Sequence, residues 1–105
     1  MNKIVIIRTT ESNQENANLL VNRIMNSRLA GCVSISKVKS IYWWNKKILK
    51  DDEYEISFKT ISSQRKDLID ELIKYHSYDL PQILSYETDC SSEYYAWINE
   101  VIRNY

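Results

Sequence analysis

The stretch from residue 32 to residue 60 reads CVSISKVKSIYWWNKKILKDDEYEISFKT, and its pattern predicts a long β-hairpin. Both arms are rich in β-branched and aromatic residues, which favour strands. The dipeptide Asn45-Lys46 stands where a two-residue turn would join the arms, and a lysine with positive φ costs about 1 kcal/mol there. Apolar alternation slips between Ile35 and Val38, which predicts a bulge near Ser36-Lys37. The arms are too long for a small sheet, so we expect a neighbouring copy to cover their edge.

A strand and a helix are predicted ahead of the hairpin. Residues 3–10 contain a continuous β-branched apolar run, which is typical of a buried strand. Ser12 and Glu15 have the spacing of a capping box, in which the two residues satisfy each other's backbone amides at a helix start. Apolar residues follow at helical spacing, and Gly31 is the expected end of that helix.

A helix, a strand and a last helix are predicted after the hairpin. One serine of the 62–63 pair would cap a helix whose apolar face is followed by His76. Pro81, the only proline, would open a strand over residues 82–87. The serine pair 91–92 would then cap a closing helix with its own apolar face.

This order of elements predicts an α+β fold, a ferredoxin-like βαββαβ sandwich with an extra C-terminal helix and a long central hairpin. A helix between two strands of one sheet forces a right-handed crossover, and the two central strands form the hairpin. The expected product is a four-stranded antiparallel sheet with two helices on one face. Because the chain has 105 residues, we expect a single domain that spans residues 1–105.

The composition argues against several functional classes. Fourteen basic and fourteen acidic residues cancel, so no net field favours nucleic acid or an anionic membrane as a partner. No apolar run approaches the roughly 20 residues that span a bilayer, and no signal peptide is evident, so we expect a cytoplasmic location. One glycine in the chain excludes glycine-rich phosphate loops. Eight tyrosines and three tryptophans suggest subunit contacts, although several rings could simply cap a small core.

His76 and Cys32 are the candidate metal ligands. Histidine is the commonest metal ligand in proteins, and copper favours imidazole and thiolate. The alternatives are structural: His76 as a cation beside the negative end of a helix, and Cys32 as a small core residue. Cys32 and Cys90 have no metal-type spacing, and we interpret both as reduced thiols.

Three blocks of the sequence resemble the CutA family of divalent-cation tolerance proteins. Residues 28–35, RLAGCVSI, are similar to RLAACVNI of the family, and residues 40–48, SIYWWNKKI, are similar to SxYxWxGKI. Residues 76–83, HSYDLPQI, are similar to HPYxxPEI. The blocks are specific when they occur together in this order. The resemblance implies a tight homotrimer of ferredoxin-like subunits whose long hairpins pair between subunits, association with copper and other divalent metals, and a shape like the PII signal proteins.

The sequence departs from the family pattern in the hairpin turn and at positions that matter for metal binding. Lys46 replaces the glycine of the hairpin turn, and Gln82 replaces a glutamate, which removes a carboxylate beside His76. Some relatives present a cysteine near the end of the first strand and a second histidine as copper ligands. The matching positions here are Arg8 and Tyr75, which are poor ligands at neutral pH. A metal site would therefore need His76 together with Cys32, or with a carboxylate from another subunit.

Four residues from the matching blocks are predicted to line a pocket near a subunit boundary. A cationic amine among aromatic walls suits a small anionic ligand. The alternative is a packed interface, in which the aromatic residues are anchors and the lysine pairs with a carboxylate of its own strand. The four residues are Tyr42, Trp44, Lys59 and Tyr78.

No enzymatic activity is predicted. No serine or cysteine has an evident base, and one histidine would have to serve every role. RNA binding on the sheet is disfavoured because ribonucleoprotein motifs are missing and Glu53 and Glu55 would repel phosphates. The predicted function is a non-enzymatic homotrimer linked to tolerance of divalent metal ions, with no required cofactor and with copper or another divalent cation as its ion. The alternative is a PII-like signalling or assembly protein that binds a small anionic ligand in an inter-subunit cleft.

Overall fold

A computed structural model describes residues 2–103, and its elements follow the predicted order. The strands are β1 (Asn2–Glu11), β2 (Cys32–Trp44), β3 (Lys47–Thr60) and β4 (Leu84–Cys90). The helices are α1 (Gln14–Asn26), α2 (Arg65–Tyr75) and α3 (Ser92–Arg103), and a single 3-10 turn at Ser62–Gln64 precedes α2. The strands form one antiparallel sheet in the order β2-β3-β1-β4, which confirms the ferredoxin-like α+β fold.

Helices α1 and α2 pack on one face of the sheet. Val5 and Ile7 of β1 face these helices together with Ile56 and Phe58 of β3, and all four side chains are fully buried. These residues lie on one face because side chains alternate along a strand. The helices and the segment after α1 contribute Ala17, Leu20, Ile24, Leu29, Ala30, Leu68 and Leu72 to this cluster.

Helix α3 covers part of the other face. Ile4 of β1 points away from its neighbour Val5 and packs in a second cluster with Ile61, Ile98 and Ile102. The outward face of β1 is therefore covered at its N-terminal end, whereas Arg8 farther along the strand keeps 43% of its side chain exposed.

The hairpin of β2 and β3 extends well beyond the rest of the sheet. Strand β1 pairs with β3 only as far as Glu11 opposite Tyr54. The seven residue pairs from Val38–Glu53 to Trp44–Lys47 join only β2 and β3, and we call this part the ribbon (residues 38–53). The molecule is accordingly 45 Å long and its radius of gyration is 14.6 Å, against about 13 Å for a compact chain of this length.

The turn prediction is confirmed and the bulge prediction is wrong. Asn45 and Lys46 both have positive φ, 51° and 63°, as a two-residue type I′ turn requires. The register between β2 and β3 is continuous from Cys32 opposite Lys59 to the turn, without an extra residue. The apparent slip at Ile35 has a simple cause: β2 is an edge strand whose residues 34–37 are all exposed, so apolar alternation does not report their register.

The predicted boundaries of α1 are wrong at both ends. The N-cap is Asn13, which is extended and whose Oδ1 accepts a hydrogen bond from the Asn16 amide at 2.8 Å. Ser12 therefore does not form a capping box with Glu15. The residue with left-handed backbone after the helix is Arg28, with φ of 57°, whereas Gly31 does not have positive φ.

Predictions for the second half of the chain are confirmed in part. Neither serine at 62–63 makes a capping hydrogen bond to α2, because the 3-10 turn carries the chain into the helix. Strand β4 begins at Leu84, three residues after Pro81, and continues to Cys90. Ser91 does cap α3, since its Oγ accepts a hydrogen bond from the Tyr94 amide at 3.2 Å. Across residues 2–103, no helix combines the length and apolar character that a bilayer crossing requires.

Candidate ligand-binding cleft

The loop after α2 wraps around the end of β1 and reaches the base of the ribbon. His76 ends the helix: its amide donates to the Leu72 carbonyl at 3.0 Å, and its backbone then becomes extended. Residues 77–80 continue from there along the ribbon, where β1 no longer pairs with β3. The place where the sheet ends and the ribbon begins therefore gathers side chains from β1, the ribbon and this loop.

The His76 ring is buried and both of its nitrogens are engaged. Nδ1 accepts a hydrogen bond from the Tyr78 amide at 3.0 Å. Because Nδ1 is an acceptor here, the proton of the neutral ring is on Nε2, which lies 2.9 Å from the Thr9 hydroxyl oxygen and donates to it. The side chain is fully buried against Glu11, whose Oε2 is 3.5 Å from Nδ1. In this arrangement neither nitrogen has a lone pair free for a metal ion.

Glu11 is a buried carboxylate held by the loop. Its Oε2 accepts the Ser77 amide at 3.1 Å, and Oε1 accepts the Ser77 hydroxyl and the Ser12 amide, the latter at 3.3 Å. Only 1% of the residue is exposed. Within residues 2–103 no lysine or arginine forms an ion pair with Glu11. The loop thus compensates the buried charge with backbone and hydroxyl donors.

Two tyrosines connect the loop and the ribbon to further carboxylates. The Tyr78 hydroxyl donates to Glu53 Oε2 at 2.6 Å, and burial together with this bond raises the pKa of Tyr78 well above its ordinary value. The Tyr42 hydroxyl donates to Asp51, and this hydrogen bond raises the pKa of Tyr42 as well. Both phenols therefore remain protonated donors at neutral pH, and both carboxylates accept from them.

These groups border an open cleft of about 490 Å³ between the ribbon and the loop. A second cavity of about 500 Å³ continues along the same ribbon face and shares Tyr42, Trp44 and Leu80 with the cleft. Aspartate is the only charged residue type among the cleft's lining residues. The cleft is lined by Tyr42, Trp44, Leu49, Ser77, Tyr78, Asp79 and Leu80.

The structure brings three of the four predicted pocket residues together. Tyr42, Trp44 and Tyr78 all line the cleft, whereas Lys59 does not. Lys59 lies opposite Cys32 at the other end of the β2–β3 ladder, where its Nζ is 3.5 Å from the Ser34 hydroxyl. Within one chain the predicted amine and the three aromatic residues are therefore apart, and the predicted pocket between subunits stays a prediction.

The predicted metal ligands lie in different parts of the molecule. Cys32 is half-buried beside the cluster under α3 and next to Tyr94, whose pKa is raised by burial and by this thiol. His76 instead belongs to the hydrogen-bonded group around Thr9 and Glu11. Over the described part of the chain, no three histidine, cysteine or acidic side chains are grouped so that they could hold a metal ion. Metal binding by His76 and Cys32 stays a prediction.

Two buried glutamates of this site were missed in the sequence. Glu53 is 8% exposed although it lies in an acidic stretch of β3, and Glu11 is 1% exposed. Glu11 could have been noticed as a carboxylate that directly follows a buried strand. Nothing local marks Glu53, because its burial depends on Tyr78, which is 25 residues away in sequence.

Comparisons with known proteins give a consistent result. A family model described as CutA1 divalent ion tolerance protein matches residues 5–101. The divalent-cation tolerance protein CutA of Thermotoga maritima is 30% identical over 100 residues, 94% of this chain and 99% of the relative. The structure of the periplasmic divalent cation tolerance protein CutA of Archaeoglobus fulgidus has a TM-score of 0.90 and 31% identity over 95% of this chain and 99% of that one. The structure of CutA of Synechococcus elongatus has a TM-score of 0.92 and 31% identity, over 97% and 92% respectively.

Proposed function

The chain belongs to the family of CutA1 divalent ion tolerance proteins, and from that premise we propose that it acts as a homotrimer whose ribbons pair between subunits. The family is named for tolerance of divalent cations and not for a catalysed reaction, which supports a non-enzymatic role. The observation that carries the assembly is the ribbon itself, because one of its faces exposes large apolar side chains that the described part of the chain leaves uncovered.

One face of the ribbon exposes large apolar side chains. Ile41, Trp43 and Ile48 share this face and are 61%, 71% and 56% exposed, and it lies opposite the face that carries Tyr42 and Trp44. An apolar surface of this size is unusual for a monomer and is typical of a contact between copies of a chain. The number of three subunits rests on the resemblance of residues 40–48 to the hairpin block of the family.

Native mass spectrometry together with light scattering tests the assembly. We expect one species at three times the 12.5 kDa mass of the chain, at micromolar concentration and physiological salt. Because the exposed ribbon residues are apolar, raising the salt concentration should not dissociate it. A folded monomer under these conditions would overturn the proposal.

We also propose that divalent cations, copper among them, contact the acidic groups at the base of the ribbon. Asp79 lines the cleft, Asp51 and Glu53 accept hydrogen bonds from two of its tyrosines, and carboxylate oxygens suit divalent ions. Copper could use imidazole only if His76 gave up its hydrogen bond with the Tyr78 amide. A carboxylate from a neighbouring subunit would complete the ligand set.

Calorimetric titration of chelator-treated protein with Cu²⁺, Zn²⁺ and Mn²⁺ separates the two ligand sets. If the carboxylates bind, Glu53→Gln weakens binding and Cys32→Ser leaves it unchanged. If imidazole and thiolate bind copper, His76→Asn and Cys32→Ser both weaken it and Glu53→Gln does not. Glu93→Gln, in the first turn of α3, is the control for a change of net charge. Absence of saturable binding by all three ions would overturn cation binding at this site.

We propose a cytoplasmic location as well. It rests on the interpretation of the free cysteines Cys32 and Cys90 as reduced thiols, which are typical of a reducing compartment. One relative is described as periplasmic, so cell fractionation with an antibody to this chain is the deciding measurement. Recovery of the protein outside the cytoplasm would overturn the proposed location.

The second candidate function is binding of a small ligand in the cleft, as in a PII-like signalling protein. The observation that favours it is the 490 Å³ cleft with three predicted aromatic residues on its walls. A volume of this order suits a small organic molecule. The predicted anionic ligand would need a cationic group from a neighbouring subunit, because Lys59 of the same chain does not line this cleft.

A further inference from the structure

The charged groups that line the cleft, or that are hydrogen-bonded to its lining residues, are all acidic. Asp79 is the only charged residue among its lining residues. Asp51 and Glu53 lie directly behind the two phenols and accept their hydrogen bonds. Ser77, also on the wall, is bound to the buried carboxylate of Glu11. One carboxylate therefore lies on the wall of the cleft and three lie directly behind it. Their negative potential favours a positively charged ligand.

The walls are aromatic as well as acidic. Tyr42 and Trp44 project from the same ribbon face, and Tyr78 reaches the space from the loop after α2. The faces of such rings attract cations, and quaternary and protonated amines are the ligands that aromatic cages of this kind hold. Lys47 lies opposite Trp44 on the same ribbon face, next to the turn, and it does not line the cleft.

We infer that the cleft binds a small organic cation, a protonated amine or a quaternary ammonium, between its aromatic walls. A metal ion alone would use the carboxylates but not the apolar volume, whereas an organic cation uses both. The inference rests on the second candidate function, small-ligand binding in this cleft, and not on divalent-ion tolerance. It requires the cleft to stay open in the assembled protein, because a neighbouring subunit that filled the space would leave no room for a ligand.

Calorimetry with a matched pair of probes tests the charge requirement. The probes are choline and its neutral carbon analogue 3,3-dimethylbutan-1-ol, added to the full-length, chelator-treated protein. The two molecules have nearly the same shape and differ in charge. We expect saturable binding of choline and binding of the neutral analogue that is at least about tenfold weaker, which corresponds to about 1.4 kcal/mol.

Three variants locate the binding. Trp44→Leu removes an aromatic wall and should weaken choline binding at least about tenfold. Asp79→Asn keeps the shape of its side chain and should weaken binding about threefold. Trp97→Leu is the control, because it removes a half-exposed indole from α3, outside the cleft and the ribbon, and should leave the affinity unchanged. Native mass spectrometry of each sample shows that the assembly is retained.

The possible results separate this inference from the proposed function. Equal affinity for both probes, or no binding of choline to the assembled protein, would overturn the inference, and so would an equal loss in Trp97→Leu and Trp44→Leu with the assembly intact. Choline binding by a protein that is monomeric, or that binds no divalent metal, would support the inference while the proposed function failed.

Discussion

At Gly31 the chain passes so close to α3 that no side chain fits. An ideal Cβ at this position would lie 2.7 Å from Ile98 Cδ1 and 2.8 Å from Val101 Cγ2. Backbone freedom is not the reason for the glycine, since its φ is not positive. The single glycine of the chain therefore sets the spacing between the start of β2 and α3, and with it the packing of the second core cluster.

Gly31→Ala is expected to destabilise the protein by about 1–3 kcal/mol, because the ends of Ile98 and Val101 must move to accept one methyl group. Urea unfolding followed by circular dichroism measures the change. Ser36→Ala, at an exposed position of β2, is the control and should change stability by less than about 0.5 kcal/mol. Equal stability of wild type and Gly31→Ala would mean that α3 is packed more loosely than the structure indicates.

Tyr78 makes the stability of the protein sensitive to alkaline pH. Burial, and then the hydrogen bond to Glu53, raises the pKa of Tyr78 above the ordinary value of 10.0. Above pH 10 the unfolded chain loses this proton while the folded chain keeps it, so the unfolded state binds fewer protons and stability falls as pH rises. Below pH 10 the buried phenol of Tyr78 contributes its full stabilisation. This contribution is lost as the pH rises through the raised pKa of Tyr78 in the folded protein.

Thermal unfolding between about pH 9 and about pH 11 tests this effect. Tyr78→Phe should have a lower melting temperature at the lower pH, because it loses the bond to Glu53, but a shallower decline with pH than the wild type. Tyr95→Phe, in the cluster under α3, is the matched control and should follow the wild-type slope. Parallel declines in all three proteins would show that Tyr78 does not titrate in this way.

The site was only partly predictable from the sequence, for a physical reason. Aromatic residues of the matching blocks could be placed near one another, and Tyr42, Trp44 and Tyr78 do meet. Lys59 does not line the cleft of its own chain, because a position in a strand does not reveal which end of a long ladder the ligand space occupies, and its place in an inter-subunit pocket stays a prediction. The roles of His76 and Glu11 depend on hydrogen bonds between residues 66 and 67 positions apart, which no local pattern encodes.

At the scale of elements, strand and turn chemistry was more informative than helix ends. The hairpin strands end where predicted, because only two residues between long β-branched arms have the turn pattern. The α1 cap moved from Ser12 to Asn13, since neighbouring polar residues compete for the same backbone amides. The prediction of a bulge in β2 was wrong because apolar alternation indicates the register of a strand only where one of its faces is buried.

The ribbon turn contains a removable strain. Lys46 has φ of 63°, which an L-residue with a long side chain adopts at a cost of about 1 kcal/mol. Lys46→Gly should therefore stabilise the protein by about 0.5–1 kcal/mol, since glycine adopts this conformation freely and the gain exceeds its added flexibility in the unfolded chain. Urea unfolding of both proteins at a fixed subunit concentration measures the difference.

The control for the turn is the next position along the chain. Lys47 is the first residue of β3 and is paired with Trp44 in the ladder, so Lys47→Gly should destabilise the protein, because glycine weakens a strand. Stabilisation by both changes would indicate a general effect of removing positive charge from the tip. Destabilisation by Lys46→Gly would contradict the inference that the turn is strained.

At the scale of the whole molecule, the ribbon is separable from the core. The buried residues of both clusters lie outside residues 41–50, and the pairs of those residues join only β2 to β3. The ladder keeps the same register along its length, so a shorter hairpin can close at an earlier pair without shifting any side chain to the wrong face. A deletion can therefore test assembly without disturbing the fold.

The last prediction uses this register. Replacing residues 41–50 by Asn-Gly joins Ser40 to Asp51 through a type I′ turn at a pair that is already in the ladder. We expect a folded monomer, because both core clusters are retained while most of the exposed apolar surface of the ribbon is lost. The control changes only Lys46 to Gly, which provides the same turn on a full-length ribbon and should assemble in the same way as the unchanged protein. A shortened protein that still assembles at micromolar concentration would place the contact on the open face of the sheet, around Arg8 and Tyr86, instead of on the ribbon.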